Sequence, residues 1–187
     1  GTYLWSNGQG GASITVSPAS ETTYTVTATD GNGCQSTGFV TVKVNALPTA
    51  SIIGNTDICP GETTTLTASA GQSWLWTPGN YTTQSINVTP AATTTYSVII
   101  TNASGCTATT THTVALKSVV AGTISGPTTS CAGTAVTLTA SGGSVLWDNG
   151  ATTASINVSP TATTTYYATI TGANGCSITK DHTITIT

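Results

Sequence analysis

Charged side chains are scarce in this sequence, and arginine is absent. Only 5% of the 187 residues are charged, whereas an ordinary globular chain carries about 25%. The three basic residues are Lys43, Lys117 and Lys180. Nucleic acids and anionic membranes are bound through clustered lysine and arginine, so the composition excludes both as partners. Threonine, about a quarter of the chain, must supply the polar surface instead.

Long apolar runs and catalytic clusters are missing too. No segment approaches the roughly 18 apolar residues that mark a membrane-spanning helix. The first residues, GTYLWSNG, have neither the basic nor the apolar region of a signal peptide, yet the composition is typical of a secreted protein. We therefore expect the biological N-terminus to lie upstream. No CxxC motif or Cys/His cluster is present, so we expect no metal and no cofactor. No Ser, Asp and His recur together in all units, so we expect no catalytic residues.

One stretch of sequence occurs three times. The middle copy, Ser85–Cys106, reads SINVTPAATTTYSVIITNASGC, and the other copies are Ser13–Cys34 and Ser155–Cys176. Apolar and polar residues alternate in it with a period of two on both sides of a proline, and a glycine-containing turn follows. This alternation predicts half-buried β-strands, which threonine, valine, isoleucine and tyrosine favour.

The repetition extends over the whole chain, with a period of about 70 residues. Trp5, Trp76 and Trp147 are each 71 residues apart, and Cys59 and Cys131 are 72 apart. A fixed period of this length predicts an array of similar units. We predict the back part of one unit and two complete units, over residues 1–46, 47–118 and 119–187.

Within the middle unit the pattern predicts six short strands and no helix. These strands lie near residues 50–53, 63–69, 73–77, 85–88, 94–101 and 107–116. Glycine, proline and asparagine separate them, as expected of turns. Six or seven short strands at this spacing are typical of a β-sandwich. We therefore predict an all-β chain of tandem sandwiches, joined end to end by short linkers.

The order of the motifs resembles a known family. The pattern C-x-G-x-x-x-x-L-T-A is followed by x-L-W-x-x-G, S-I-x-V-x-P, T-T-Y and G-C. In this order the motifs resemble the immunoglobulin-like repeats of large Bacteroidetes surface proteins exported by type IX secretion, among them gliding adhesins of the SprB type. The resemblance covers the whole chain. It implies immunoglobulin-like sandwiches, an extracellular location at a bacterial cell surface, and a role in adhesion or as a structural stalk.

Two cysteines per complete unit predict one disulfide per unit in an oxidising compartment. Cys59 precedes four predicted strands and Cys106 follows them. Because an even number of strands returns a chain to its starting end, we predict that Cys59 pairs with Cys106 and that Cys131 pairs with Cys176. The partner of Cys34 would then lie upstream of the chain.

A disulfide between successive units is the alternative. It applies if Pro78–Gln84 forms an additional strand. Five strands would place Cys59 and Cys106 at opposite ends of the unit, and neither could then reach the other.

The repeating tryptophan predicts a buried core position, as is typical of immunoglobulin-like sandwiches. Trp74 lies two residues before Trp76 and therefore on the same face of the strand, but its equivalents differ between units. Tyr81 lies in a predicted turn. Trp74 and Tyr81 are the candidates for ligand binding, because exposed aromatic rings can stack against sugar rings.

Together these features predict a non-enzymatic extracellular protein that serves as a structural stalk, fibre or adhesin at a bacterial cell surface. Its expected partners are neighbouring repeats, other copies in a fibre, and a polysaccharide or cell surface. The alternative is an array of carbohydrate-binding modules in a secreted polysaccharide-degrading protein. Glycan binding that is lost on Trp74→Ala would favour that alternative.

Overall fold

The computed structural model describes residues 1–187, which form 17 β-strands and no α-helix. No helix is therefore available to cross a membrane. The first three strands form one antiparallel sheet in the order β1-β2-β3. They are β1 (Thr2–Trp5), β2 (Thr22–Thr29) and β3 (Gln35–Val42). The all-β fold predicted from the sequence is confirmed.

A first sandwich of seven strands follows. Its strands are β4 (Ile52–Ile53), β5 (Asp57–Ile58), β6 (Thr64–Ala68), β7 (Ser73–Thr77), β8 (Ser85–Val88), β9 (Thr94–Thr101) and β10 (Thr107–Leu116). One sheet has the order β4-β6-β8 and the other the order β5-β10-β9-β7. All pairs are antiparallel except β5 with β10, which is parallel.

The second sandwich has the same topology. Its strands are β11 (Thr123–Ser125), β12 (Thr129–Ser130), β13 (Val136–Ser141), β14 (Ser144–Trp147), β15 (Ser155–Val158), β16 (Thr164–Thr171) and β17 (Ser177–Ile186). The sheets have the orders β11-β13-β15 and β12-β17-β16-β14, and β12 pairs in parallel with β17. Two packed, mainly antiparallel sheets of this size form an immunoglobulin-like sandwich, which agrees with the predicted fold class.

Each sandwich has its own core of ten buried residues. Trp76 and Trp147 are the largest side chains that are completely buried. Both lie on strands whose alternate residues face inward, which is the consequence of the period-two pattern. The indole N–H of Trp76 donates to the carbonyl of Thr83, and that of Trp147 to the carbonyl of Thr153, each at 2.9 Å. At Trp76 and Trp147 the repeating tryptophan is a core residue, as predicted.

The sheet β1-β2-β3 has no second sheet packed over it. Trp5, the counterpart of Trp76, is only half-buried, although its indole N–H donates to the carbonyl of Gly11 at 2.9 Å. Ile14, Val16 and other apolar side chains lie on the same face. The hydrogen bond of the Trp5 indole therefore forms although no second sheet encloses the ring.

The two ends of a sandwich are distinguished by its last strand. We call the end where β10 begins, at Thr107, the bottom, and the end where it finishes, at Leu116, the top. The antiparallel strand β9 ends at Thr101, beside Thr107, at the bottom. The connection after β6 also lies at the bottom, since the backbone N–H of Gln72 donates to the carbonyl of Thr101 at 2.7 Å.

The connection Pro78–Gln84 reverses the chain without forming a regular strand. Strands β7 and β8 both run toward the top, because β7 is antiparallel to β9 and β8 is antiparallel to β6. The connection between them must bring the chain back to the bottom. Two backbone hydrogen bonds of 2.9 Å hold it there, from Trp76 to the carbonyl of Tyr81 and from Ala68 to the carbonyl of Gln84.

Replacing Trp76 with alanine should lower the free energy of unfolding of the first sandwich by about 3–5 kcal/mol, because it empties a buried aromatic site. Leu75→Ala is the matched control, since Leu75 is the adjacent residue and is 42% exposed. This control variant should lower the free energy of unfolding by less than about 1 kcal/mol. Urea unfolding followed by circular dichroism measures both, and equal losses in the two variants would contradict the burial of Trp76.

Candidate functional site at the disulfide junction

The two sandwiches are joined by a disulfide between Cys59 and Cys176, whose Cα atoms are 5.5 Å apart. Cys59 directly follows β5 in the first sandwich, and Cys176 directly precedes β17 in the second. Cys34, Cys106 and Cys131 are free thiols. The predicted pairs, Cys59 with Cys106 and Cys131 with Cys176, are therefore wrong, and the alternative of a disulfide between successive units is correct for Cys59 and Cys176.

The reason for this correction is that Cys59 and Cys106 lie at opposite ends of the first sandwich. The parallel pairing of β5 with β10 places Ile58 beside Leu116 at the top. Cys106 immediately precedes Thr107 at the bottom. The ten residues of β10, at about 3.3 Å each, separate the two ends by roughly 30 Å. Cysteines can be bridged only when their Cα atoms lie within about 7 Å.

Cys59 is held in a tight turn at the top of the first sandwich. The backbone N–H of Glu62 donates to the carbonyl of Cys59 at 3.1 Å. In return, the N–H of Cys59 donates to Oε2 of Glu62 at 2.9 Å. Gly61 lies between them with φ of +83°, a conformation that favours glycine. The turn therefore presents the Cys59 side chain in a defined orientation.

The linker leaves the first sandwich beside Cys59. The backbone N–H of Lys117 donates to the carbonyl of Ile58 at 2.9 Å. Nζ of Lys117 lies 3.3 Å from Oδ2 of Asp57. Both side chains are partly exposed to solvent, so this ion pair contributes less than about 1 kcal/mol. The linker and the disulfide cross the junction side by side.

Cys176 lies at the bottom of the second sandwich and is part of its core, only 3% exposed. Its backbone N–H donates to Oδ1 of Asn174 at 3.1 Å. Nδ2 of the same asparagine donates to the carbonyl of Ser118 in the linker at 2.9 Å. Cys59 packs against this core, next to Val120 and Ile178. The junction is therefore a small apolar contact closed by a covalent bond.

The turn that carries Cys176 has two counterparts in the chain, in which the accepting side chain lies four residues before the cysteine and not two. Oδ1 of Asn102 accepts a hydrogen bond from the backbone N–H of Cys106 at 3.0 Å, and Nδ2 of Asn102 donates to the carbonyl of Ala46 at 2.8 Å. In the first sheet, Oδ1 of Asp30 accepts from the N–H of Cys34 at 2.9 Å. In all three turns the backbone N–H of the cysteine therefore has a side-chain acceptor, whether or not the cysteine forms a disulfide.

The two predicted ligand-binding residues lie in different surroundings. Trp74 is half-buried against the first core, and its indole N–H donates to the carbonyl of Ser69 at 3.0 Å. Tyr81 is 43% exposed, and its ring covers Gly79. Burial, and after it the nearby Tyr81, raise the pKa of Tyr96 above its ordinary value. Ligand binding at Trp74 and Tyr81 stays a prediction.

The two histidines contact backbone carbonyls at equivalent positions. Nε2 of His112 lies 3.0 Å from the carbonyl of Asn55, and Nε2 of His182 lies 3.0 Å from that of Pro127. Each contact joins the last strand of a sandwich to the segment between its first two strands. We interpret both histidines as structural residues.

No protein-family model and no curated protein matches this sequence. Among solved structures, the chain is similar to a 1.5-MDa bacterial ice-binding adhesin, at 23% identity over 88% of this chain and 74% of that one, with a TM-score of 0.38. Murine CEACAM1b is 14% identical over 74% of this chain and 100% of that one, with a TM-score of 0.34. SGBP-B of a Bacteroides ovatus mixed-linkage glucan utilisation locus is 18% identical over 100% of this chain and 59% of that one, with a TM-score of 0.23. Similarity at this level concerns the fold alone.

Peptide mapping of the unreduced protein should recover a single disulfide-linked pair, with Cys59 joined to Cys176. Alkylation of the native protein should label Cys34 and Cys131, which are exposed, faster than Cys106, which is half-buried. The two bonded cysteines should be labelled only after reduction. A linked peptide that contains Cys59 and Cys106 would contradict the junction.

Proposed function

We propose that this chain is a segment of a non-enzymatic extracellular stalk or adhesin at a bacterial cell surface. In this proposal residues 1–46, 47–118 and 119–187 are successive units of one repeat, and the protein works as a mechanical tether. The observation that carries the proposal is the disulfide between the two sandwiches. A further support is the resemblance of the repeat motifs to the surface proteins exported by type IX secretion.

The disulfide changes the path along which tension travels. A force applied to the two ends of the chain passes from the N-terminal part to Cys59, crosses the disulfide to Cys176, and continues along β17. Residues 60–175 lie outside this covalent path. They include most of both cores, so tension cannot extend them while the disulfide is intact. Such an arrangement suits a tether, because neither sandwich can be fully unravelled.

The chemistry of the chain also agrees with an extracellular location. Disulfides persist in oxidising compartments and are rare in the cytosol. The chain has one ion pair, between Lys117 and Asp57, and its stability therefore depends little on salt, because there are few surface charges to screen. A surface structure exposed to changing ionic strength benefits from this independence.

The carbohydrate-binding alternative depends on rings that are free to stack. The Trp74 ring packs against the first core and its N–H is already bonded. Tyr81 is the more accessible of the two candidates, but a single tyrosine is a small platform. These contacts favour the tether over a polysaccharide-binding module.

Single-molecule pulling at the two ends of the chain tests the tether. Reduction of the disulfide should add the full length of the loop between Cys59 and Cys176, 117 residues, to the unfolded contour. At about 3.4 Å per residue this gain is about 400 Å. Cys59→Ser should show the longer contour without reductant.

The matched control for pulling is Cys131→Ser, which removes a thiol outside the junction. Its contour length should equal that of the unmodified protein under oxidising conditions and increase on reduction by the same amount. If the oxidised protein extends over all of its residues, the disulfide does not carry the load and the tether proposal is wrong.

A glycan array tests the alternative function. We expect no binding to polysaccharides by the unmodified chain, because neither aromatic candidate offers a free, extended ring surface. Binding that is lost on Tyr81→Ala or Trp74→Ala, and kept on Leu75→Ala, would establish the carbohydrate-binding function instead.

A further inference from the structure

The five cysteines fall into two kinds by their place in the fold. A top cysteine follows the short strand that pairs in parallel with the last strand of a sandwich. A bottom cysteine immediately precedes the last strand. The top cysteines are Cys59 and Cys131, and the bottom cysteines are Cys34, Cys106 and Cys176. The one top cysteine that faces a bottom cysteine across a junction is bonded to it.

Cys131 lies in the same turn as Cys59 but is a free, exposed thiol. The backbone N–H of Thr134 donates to the carbonyl of Cys131 at 3.1 Å, and Gly133 has φ of +73°. The Cys59 turn has the same backbone hydrogen bond and the same glycine conformation, although Thr134 stands where Glu62 supplies a carboxylate to the N–H of Cys59. The top of the second sandwich therefore presents a thiol already oriented for the same bond.

The matching positions of the first sheet lie around Cys34. In the second sandwich the three positions that line the junction opposite Cys59 are Cys176, Ser177 and Ile178. Their counterparts in the first sheet are Cys34, Gln35 and Ser36. These three line an open recess of about 360 Å³. Cys34 itself is exposed. Cys34 therefore holds the position in the first sheet that Cys176 holds at the junction, directly before the last strand.

Cys106 is less available than Cys34. It is half-buried, and its Sγ lies 3.9 Å from the carbonyl of Asn45, in the segment that joins the first sheet to the first sandwich. The bottom surface around Cys106 already faces the preceding part of the same chain.

We propose that the top of the second sandwich is a covalent docking surface for another unit of this same fold. Cys131 forms a disulfide with the bottom cysteine of the incoming unit, as Cys59 does with Cys176. The docking is head to tail. This inference rests on the geometry of the junction and does not require the tether function.

The bond is formed by thiol–disulfide exchange with a small disulfide such as oxidised glutathione. The Cys131 thiolate attacks the glutathione disulfide, which releases one glutathione thiolate and leaves a mixed disulfide. The thiolate of the bottom cysteine then attacks the Cys131 sulfur and releases the second glutathione. Two protein thiols are oxidised, and one glutathione disulfide is reduced to two thiols.

A mixing experiment with two full-length variants tests the proposal, with a second copy of the chain as the incoming unit. Both variants carry Cys106→Ser. One also carries Cys131→Ser and so keeps only Cys34, and the other carries Cys34→Ser and so keeps only Cys131. At high protein concentration in oxidised glutathione, the mixture should yield several-fold more covalent dimer than either variant alone.

Peptide mapping of the dimer should find Cys34 joined to Cys131, with the disulfide between Cys59 and Cys176 intact in both copies. If each variant alone forms as much dimer as the mixture does, pairing is unselective and the docking surface does not exist. Glutathione adducts without dimers would overturn the proposal as well. Neither result would affect the pulling experiment, which depends only on the internal disulfide.

Discussion

In the first sandwich, two backbone hydrogen bonds hold β5 alongside the end of β10 and parallel to it. The N–H of Ala115 donates to the carbonyl of Thr56 at 2.8 Å, and the N–H of Lys117 donates to that of Ile58 at 2.9 Å. This short pairing brings Cys59 to the place where the chain leaves the sandwich. The disulfide, the path of tension and the head-to-tail order of the cysteines all depend on it.

The disulfide also changes the mechanics of the junction. A single linker would let two sandwiches hinge about one covalent connection, and interfaces between such domains are usually small. Here the bond from Cys59 to Cys176 runs beside the linker at Lys117. In the chain-entropy model, closing a loop of 117 residues corresponds to about 5 kcal/mol of stabilisation. The junction is therefore stabilised covalently, with little need for a large interface.

Hydroxyl groups replace charges on the surfaces of the sheets. Two threonines on neighbouring strands share a hydrogen bond of 2.8 Å in the first sheet, and an equivalent pair does so in each of the two sandwiches. These pairs are Thr23 with Thr41, Thr95 with Thr113, and Thr165 with Thr183. Cross-strand pairs of this kind contribute about 0.2–1 kcal/mol each. The abundance of threonine thus serves both solubility and strand pairing.

Most strands and the buried core could be predicted from the amino-acid pattern. All six predicted strands are present. Four coincide with β7, β8, β9 and β10, and the other two contain β4 and β6, because period-two alternation places every second side chain inside. The burial of Trp76 and Trp147 follows from the same pattern. The strand β5 was missed, since two residues are too few to show an alternation.

The pairing of the cysteines, in contrast, depends on the three-dimensional arrangement of the strands. The connection Pro78–Gln84 forms no strand, yet it carries the chain from one end of the sandwich to the other, and no local pattern records that reversal. A disulfide requires two Cα atoms within about 7 Å. A single reversal of the chain therefore decides whether Cys59 meets a cysteine of its own sandwich or one of the next. Strand identity is a local property of the chain, whereas strand direction, and with it the pairing of Cys59 with Cys176, is set by how the two sheets pack.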